Sequence, residues 1–149
     1  SVNILPADLQ SVPGSSRGLV LLVEDNPVNL LVAKRLIQIS NFDCMTAENG
    51  GIALDMLQQK HDFDLVLMDC QMPVMDGYTT LERLKADPAL REIAVIMITS
   101  VDSIESVARC IEMGADDYMP KLFNPILLNA RMATCLELRN LRRRVAAQG

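Results

Sequence analysis

Aromatic residues are scarce: tryptophan is absent, and Tyr and Phe together make up 3% of the 149 residues. That removes the stacking platforms on which single strands are held. The net charge of −5 likewise argues against direct nucleic-acid binding. Histidine occurs once, at His61 in the polar stretch Gln58-Gln59-Lys60-His61-Asp62, so the chain has no second histidine for a relay of its own. No apolar run approaches the roughly 20 residues that cross a bilayer, and the N-terminus lacks the charged-then-apolar order of a signal peptide. The cysteines Cys44, Cys70, Cys110 and Cys135 contain no CxxC pair and have apolar neighbours. They read as buried free thiols of a reducing compartment, and the expected location is cytoplasmic.

What is present is one ordinary domain, long enough to bury a core without disulfides or structural metal. Residues 1–18 contain Pro6, Pro13, Gly14, Ser15, Ser16 and Gly18 with little periodicity, and are expected to form a linker or loosely held arm. Because the chain starts at Ser1 without Met, it reads as a piece of a longer polypeptide or as carrying a cloning remnant. After Gly18, short β runs alternate with helical periodicity, the pattern of a parallel sheet with crossover helices. The expected strands are Leu19–Val23, Cys44–Ala47, Leu65–Met68, Ala94–Ile98 and Asp117–Pro120.

Between them, Val28, Val32, Leu36 and Ile39 form one helical stripe and Ile104, Val107, Ala108 and Ile111 another, both expected to face the core. Asn26-Pro27 and Asp76-Gly77 mark helix starts, Asp87-Pro88 a helix end, and Gly114 a C-cap. The last helix is expected from about Pro125 to Arg144, longer than a five-stranded sheet needs. Leu127, Thr134, Leu138, Leu141 and Val145 give it a short heptad-like seam; a frayed exposed tail is the other reading. Arg139, Arg142, Arg143 and Arg144 complement the negative end of its dipole.

The chemistry gathers at strand ends. Glu24-Asp25 follows the first apolar run and Asp69 the third, so neighbouring strands would converge three carboxylates where open α/β sheets place ligands. Convergent carboxylates suit a hard divalent cation such as Mg²⁺. Taken alone, Glu24-Asp25 reads equally as a cap of the following helix. The fourth strand ends in Thr99-Ser100 and the fifth in Lys121, a hydroxyl and a cation of the kind that hold phosphoryl oxygens. Singly, Thr99 also reads as a helix N-cap, Tyr118 as a half-buried core residue and Lys121 as a surface lysine.

Taken in order, Glu24-Asp25, Asp69 with Met72-Pro73-Val74-Met75-Asp76-Gly77, Thr99, Tyr118 and Lys121 resemble the receiver domain of two-component response regulators. The resemblance spans about residues 19–138, leaving 139–149 as a continuation of the last helix that connects to a possible output domain. It implies a flavodoxin-like, doubly wound α/β fold with a five-stranded parallel sheet in the order 2-1-3-4-5. It implies that Asp69 accepts a phosphoryl group from a sensor histidine kinase or histidine phosphotransfer protein. Mg²⁺ would be held by Asp25, Asp69 and the Gln71 backbone carbonyl, with Glu24 acting through water. Lys121 and Thr99 would engage the phosphoryl group, and Thr99 and Tyr118 would switch the face made by the fourth helix, fifth strand and fifth helix. Such a chain is no enzyme beyond its own phosphorylation and dephosphorylation. Leu30 and Leu31 lie on the helix that receivers offer to phosphodonors, and a dimer through the last helix is expected.

Two departures stand out. Leu122 follows Lys121 where the family usually has Pro. A cis bond before a non-proline residue costs about 2.5–4 kcal/mol, so a trans Lys121–Leu122 bond, a less firmly fixed ammonium and slower phosphotransfer are expected. Gln71 and Val101 occupy positions that tune phosphate lifetime; Val101 cannot orient water, which points to a phosphorylated state of intermediate to long lifetime. Rival readings are a degenerate receiver that docks partners without phosphorylation and a metal-dependent phosphohydrolase. The latter wants an acid/base carboxylate at Gln71. A flavodoxin-type cofactor binder fails on charge, because Glu24-Asp25-Asn26-Pro27 would repel a nucleotide phosphate.

Overall fold

The computed structural model describes residues 16–59, 62–72, 75–99, 104–121 and 124–148. Strands β1 (Leu19–Val23), β2 (Asp43–Ala47), β3 (Leu65–Asp69), β4 (Ala94–Thr99) and β5 (Asp117–Pro120) alternate with helices α1 (Pro27–Ile39), α2 (Gly50–Gln59), α3 (Gly77–Ala86), α4 (Ile104–Glu112) and α5 (Pro125–Gln148). The sheet order is β2-β1-β3-β4-β5, and every pairing is parallel. This is the flavodoxin-like doubly wound sheet with an extended C-terminal helix that the resemblance implies. Its strands match the expected ones to within one residue at either end.

The sheet is covered on both sides because its central strands are apolar up to the Asp69 and Thr99 that end β3 and β4. Leu21, Val23, Val66, Met68, Val95 and Met97 face a core completed by Leu57 of α2, Leu81 and Leu84 of α3 and Cys110 of α4. The alternate residues Val20, Leu22, Leu65, Leu67, Ile96 and Ile98 pack with Ala33 and Ile37 of α1 and Leu128, Met132 and Cys135 of α5. Asn26 caps α1 by accepting from the Val28 and Asn29 amides, and Asp76 caps α3 by accepting from Thr79. Gly114, at φ 102°, turns the chain out of α4 while its amide donates to the Ile111 carbonyl.

Both expected core stripes are corrected. In α1 the core is met by Ala33 and Ile37, with Leu30 and Leu36 beside them, whereas Val28 and Val32 are exposed. The helix is apolar on most of its circumference, so several stripes fit the period and only the sheet selects one. In α4, Cys110 is the buried residue, while Ile104, Ala108 and Ile111 face outward.

The arginines of α5 do more than complement a dipole. The Arg139 guanidinium is buried and donates to Asp64 Oδ1 at 2.7 Å, while Asp64 Oδ2 accepts from the Leu19 amide at 2.9 Å. Arg142 reaches Asp116 at 3.0 Å, and Asp116 in turn accepts from the Val95 amide. Asp64 and Asp116 thus join α5 to the amino-terminal edge of the sheet. In the seam, Leu127 packs on the core, and Thr134, Leu138, Leu141 and Val145 are exposed.

Removing Arg139 leaves Asp64 without its cation and opens a buried gap. Arg139→Ala is expected to cost about 3 kcal/mol in urea unfolding, against under about 0.5 kcal/mol for the exposed Arg143→Ala. Gly77 gives a backbone test. A Cβ there would stand 2.2 Å from the Asp69 carbonyl oxygen and 2.9 Å from Cys70 Cα. Gly77→Ala is therefore expected to destabilise by about 1–3 kcal/mol, while Gly51→Ala, which meets only Asn49 Oδ1 at 3.3 Å, should be neutral or stabilising by up to about 1 kcal/mol in the same assay.

Candidate functional site

Parallel pairing in register brings the strand ends together. Val23 lies opposite Met68 and Ala47, Asp69 opposite Ile98, and Thr99 opposite Pro120. The residues that terminate or follow these strands, Glu24, Asp25, Asp69, Thr99 and Lys121, therefore share one edge. Glu24, Asp25 and Asp69 can each offer an oxygen such that all three lie within 4.8 Å of one another. Asp25 is exposed, while Glu24 and Asp69 are each only 1% exposed.

Opposite them stands one ammonium. Lys121 Nζ is 2.9 Å from Asp69 Oδ2 and 3.9 Å from Glu24 Oε1. Leu122 and its peptide bond to Lys121, on which the expected loosening of Lys121 turns, lie outside the described residues. Lys121 is itself fixed through its backbone, whose amide donates to the Thr99 carbonyl at 2.9 Å. Asp69 Oδ1 accepts from the Gln71 amide at 3.0 Å, and Glu24 Oε1 accepts from the Asn26 amide at 3.2 Å. Of the other oxygens, Asp69 Oδ2 is buried against the Lys121 ammonium, and Glu24 Oε2 is buried with no hydrogen bond among the described residues.

Three carboxylates facing one cation leave uncompensated charge, and it falls on Glu24. Burial first, and the neighbouring Asp69 second, hold its carboxyl up at about 7. The carboxylates in turn hold the Lys121 ammonium above its ordinary range, against a burial effect of opposite sign. The excess of negative oxygens at this edge is of the kind that suits one additional cation.

Thr99 is nearly buried at the end of β4. Tyr118 is half-buried on β5, beneath the Arg131 guanidinium of α5 at 4.8 Å from the ring centroid. Arg131 also binds Asp117 at 2.9 Å and the Tyr118 carbonyl. On α1, Leu31 is 69% exposed, and Leu30 is partly buried against the core. Val101, His61, Pro73 and Val74 lie outside the described residues. The Gln71 side chain is exposed.

Two contacts were not anticipated from the sequence. One is the Gln71 amide on Asp69, for which an Asp followed by a turn two residues on is the signal. The other is the buried approach of Cys70 Sγ to Cys110 Sγ at 3.5 Å, between residues 40 apart with no local signal. Burial pushes the Cys70 thiol up to about 12.

The pattern of the family described as "Response regulator receiver domain" matches residues 20–133. The chain is 34% identical over 106 residues to the two-component response regulator ORR3 of Oryza sativa, covering 71% of this chain and 81% of that one. It is 33% identical over 113 residues to the response regulator PleD of Caulobacter vibrioides, covering 76% of this chain but 25% of PleD. Among solved structures, it resembles the receiver domain of a signal transduction histidine kinase from Syntrophus aciditrophicus, with a TM-score of 0.74, 32% identity and coverage of 80% and 90%. It also resembles the receiver domain of a sensor histidine kinase from Pseudomonas aeruginosa, described with a magnesium ion in its active-site cleft; here the TM-score is 0.76 at 27% identity, covering 83% and 99%. Sheet order, acidic pocket and sequence agree: the chain belongs to the response regulator receiver domain family of two-component systems.

Proposed function

We propose that this receiver takes a phosphoryl group from a phosphohistidine of a sensor kinase or phosphotransfer protein onto Asp69. The observation that carries the reading is a buried carboxylate held 2.9 Å from a lysine and grouped with two further carboxylates. An Asp69 oxygen attacks phosphorus in line, the phosphorus–nitrogen bond of the donor breaks, and the imidazole leaves with its electron pair. The Gln71 amide holds one Asp69 oxygen in place, which fixes the direction of the other. Lys121 stands where it offsets charge on the incoming phosphoryl oxygens, and Thr99 supplies a hydroxyl to the acyl phosphate.

The donor set fits Mg²⁺: hard oxygens only, an excess of negative charge, and a buried Glu24 oxygen that lacks a hydrogen bond among the described residues. Asp25, Asp69 and the Gln71 carbonyl would hold it, with Glu24 acting through water. When bound, the ion neutralises phosphoryl charge during transfer.

In this reading Thr99 moves toward the phosphoryl group and Tyr118 changes its packing. The face of α4, β5 and α5 then shifts in population, with Ile104, Ala108 and Ile111 available as contacts. Leu31, with Val28, forms the apolar surface offered to the phosphodonor. Of the arm expected over residues 1–18, residues 1–15 lie outside the described residues, while Arg17 stacks on Phe42 and donates to the Ser40 carbonyl and to Asn129. The continuation of α5 past residue 138 connects to an output domain or pairs with a second copy through Leu138, Leu141 and Val145. No described helix is long and apolar enough to cross a membrane, and a cytoplasmic location accords with the free thiols. Gln71 and Val101 set the phosphate lifetime.

Incubation with acetyl phosphate and Mg²⁺ is expected to add one phosphate by intact mass to the wild type and none to Asp69→Asn. Absence of an adduct on the wild type would leave a docking module that works without phosphorylation, and turnover of a phosphomonoester would identify a hydrolase.

Charge supplies a second test. Glu24 titrates near 7 in the folded chain against 4.5 when unperturbed, so the folded state binds more protons between these values. The stabilisation from this group is full below about pH 4.5 and is lost as pH rises through about 7. In metal-free buffer, the stability of Glu24→Gln relative to wild type should rise by up to about 3 kcal/mol between pH 4.5 and 8. Thermal unfolding measures this, and Mg²⁺ should shrink the gain.

A further inference from the structure

The pair Cys70 and Cys110 lies outside the phosphoryl chemistry yet directly behind it. Cys70 is the first residue after Asp69, and its backbone is held on both sides. Its amide donates to the Ile98 carbonyl at 2.8 Å, and its carbonyl accepts from the Gly77 amide at 3.1 Å. Cys110 is the buried residue of α4. The two sulfurs stand 3.5 Å apart, side by side in the core shared by α2, α3 and α4.

A disulfide requires the sulfurs to close to about 2.05 Å, so one element has to move by roughly 1.5 Å. Cys70 is fixed by the sheet and by α3. Helix α4 is not: Ile104 is 88% exposed, and Ile111 faces outward as well. Besides Cys110, α4 meets Tyr78 of α3 through Arg109, whose guanidinium lies 3.9 Å above the ring, and through Ser106, which hydrogen-bonds the Tyr78 hydroxyl.

We infer that Cys70 and Cys110 form a reversible intramolecular disulfide under peroxide, a latch that ties α4 to the residue beside Asp69. The sulfur of one thiol displaces hydroxide from hydrogen peroxide and becomes a sulfenic acid, and the hydroxide leaves as water with the thiol proton. The second sulfur then attacks the first, a second water departs, and the sulfur–sulfur bond forms. Two thiols and one peroxide thus give one disulfide and two waters. Burial, which pushes the Cys70 thiol up to about 12, leaves the pair unreactive in the closed fold, so both the ionisation of a thiol and the entry of peroxide require α4 to open. The bond does not depend on the proposed phosphorylation; its effect on signalling rests on that reading, because α4 belongs to the face proposed to shift.

The test treats the reduced full chain with hydrogen peroxide, blocks free thiols after denaturation and maps peptides without reduction. A Cys70–Cys110 cross-link is expected in the wild type and in a Cys44→Ala, Cys135→Ala variant. It should carry a loss of two hydrogens, be reversed by dithiothreitol and be missing in Cys110→Ser. Hydrogen exchange of the α4 amides should slow by ~10-fold or more in the oxidised chain. Sulfinic or sulfonic acid at either residue without a cross-link, oxidation confined to Cys44, or two thiols that stay free would overturn the disulfide. A cross-link that leaves α4 exchange unchanged would overturn the latch. A chain that forms the cross-link but, when reduced, takes no phosphate from acetyl phosphate would sink the receiver chemistry and leave the disulfide standing.

Discussion

Parallel strands carry no hairpin turns to set their register, so the sheet has to set it through its two cores. A slip of one residue would exchange the faces of β1, β3 and β4 and move Val66 and Met68 out of the core that contains Leu81 and Leu84. Because both faces are covered, the penalty applies on each side at once. The observed register places Val23 opposite Met68 and Asp69 opposite Ile98. Everything at the carboxyl edge follows from this alignment. Glu24, Asp69, Thr99 and Lys121 meet because four neighbouring strands stop in step, and only then does their charge matter.

That charge is costly to the fold. Glu24 and Asp69 are almost fully buried, and one lysine compensates for both. The chain tolerates this by spending backbone donors on the acids, the Asn26 amide on Glu24 and the Gln71 amide on Asp69, and by raising the Glu24 carboxyl to about 7 so that it sheds its charge in mild acid. A fold selected for stability alone would fill these positions with apolar side chains. On the proposed reading, this uncompensated charge is what makes the edge receptive to a cation and, through it, to a phosphoryl group.

The fold and the reactive carboxylates were legible because both rest on short-range signals. Apolar runs ending in Glu24 and Asp69 announce buried strands, and Asn26-Pro27 and Asp76-Gly77 announce the helices behind them. Helix faces were less legible. Val28, Val32, Ile104 and Ile111 satisfy the helical period as well as the residues that pack, and the choice is made by sheet neighbours distant in sequence. Arg139 misled for the same reason: near a helix end it suits the dipole, yet its partner Asp64 lies 75 residues away. The Cys70 and Cys110 contact is another long-range meeting that no local pattern announces.

The two helices bordering β5 are held unequally, and this bears on how a change at Asp69 could travel. Helix α5 is fixed to the opposite edge of the sheet by Arg139 on Asp64 and Arg142 on Asp116, and to β5 by Arg131 on Asp117. Helix α4 buries Cys110 and turns Ile104 and Ile111 outward. An event at the site that pulls on Thr99 or Tyr118 works against several ion pairs if it is to move α5. If it is to move α4, it works against the buried Cys110, the Arg109 stack on the Tyr78 ring and the hydrogen bond between Ser106 and Tyr78. Motion follows the softer direction, because conformational change is drawn from the least stable part of a fold. On the proposed reading, α4 is thus the element that responds and α5 the frame that holds its length. A bond between Cys110 and Cys70 would remove that difference at its source.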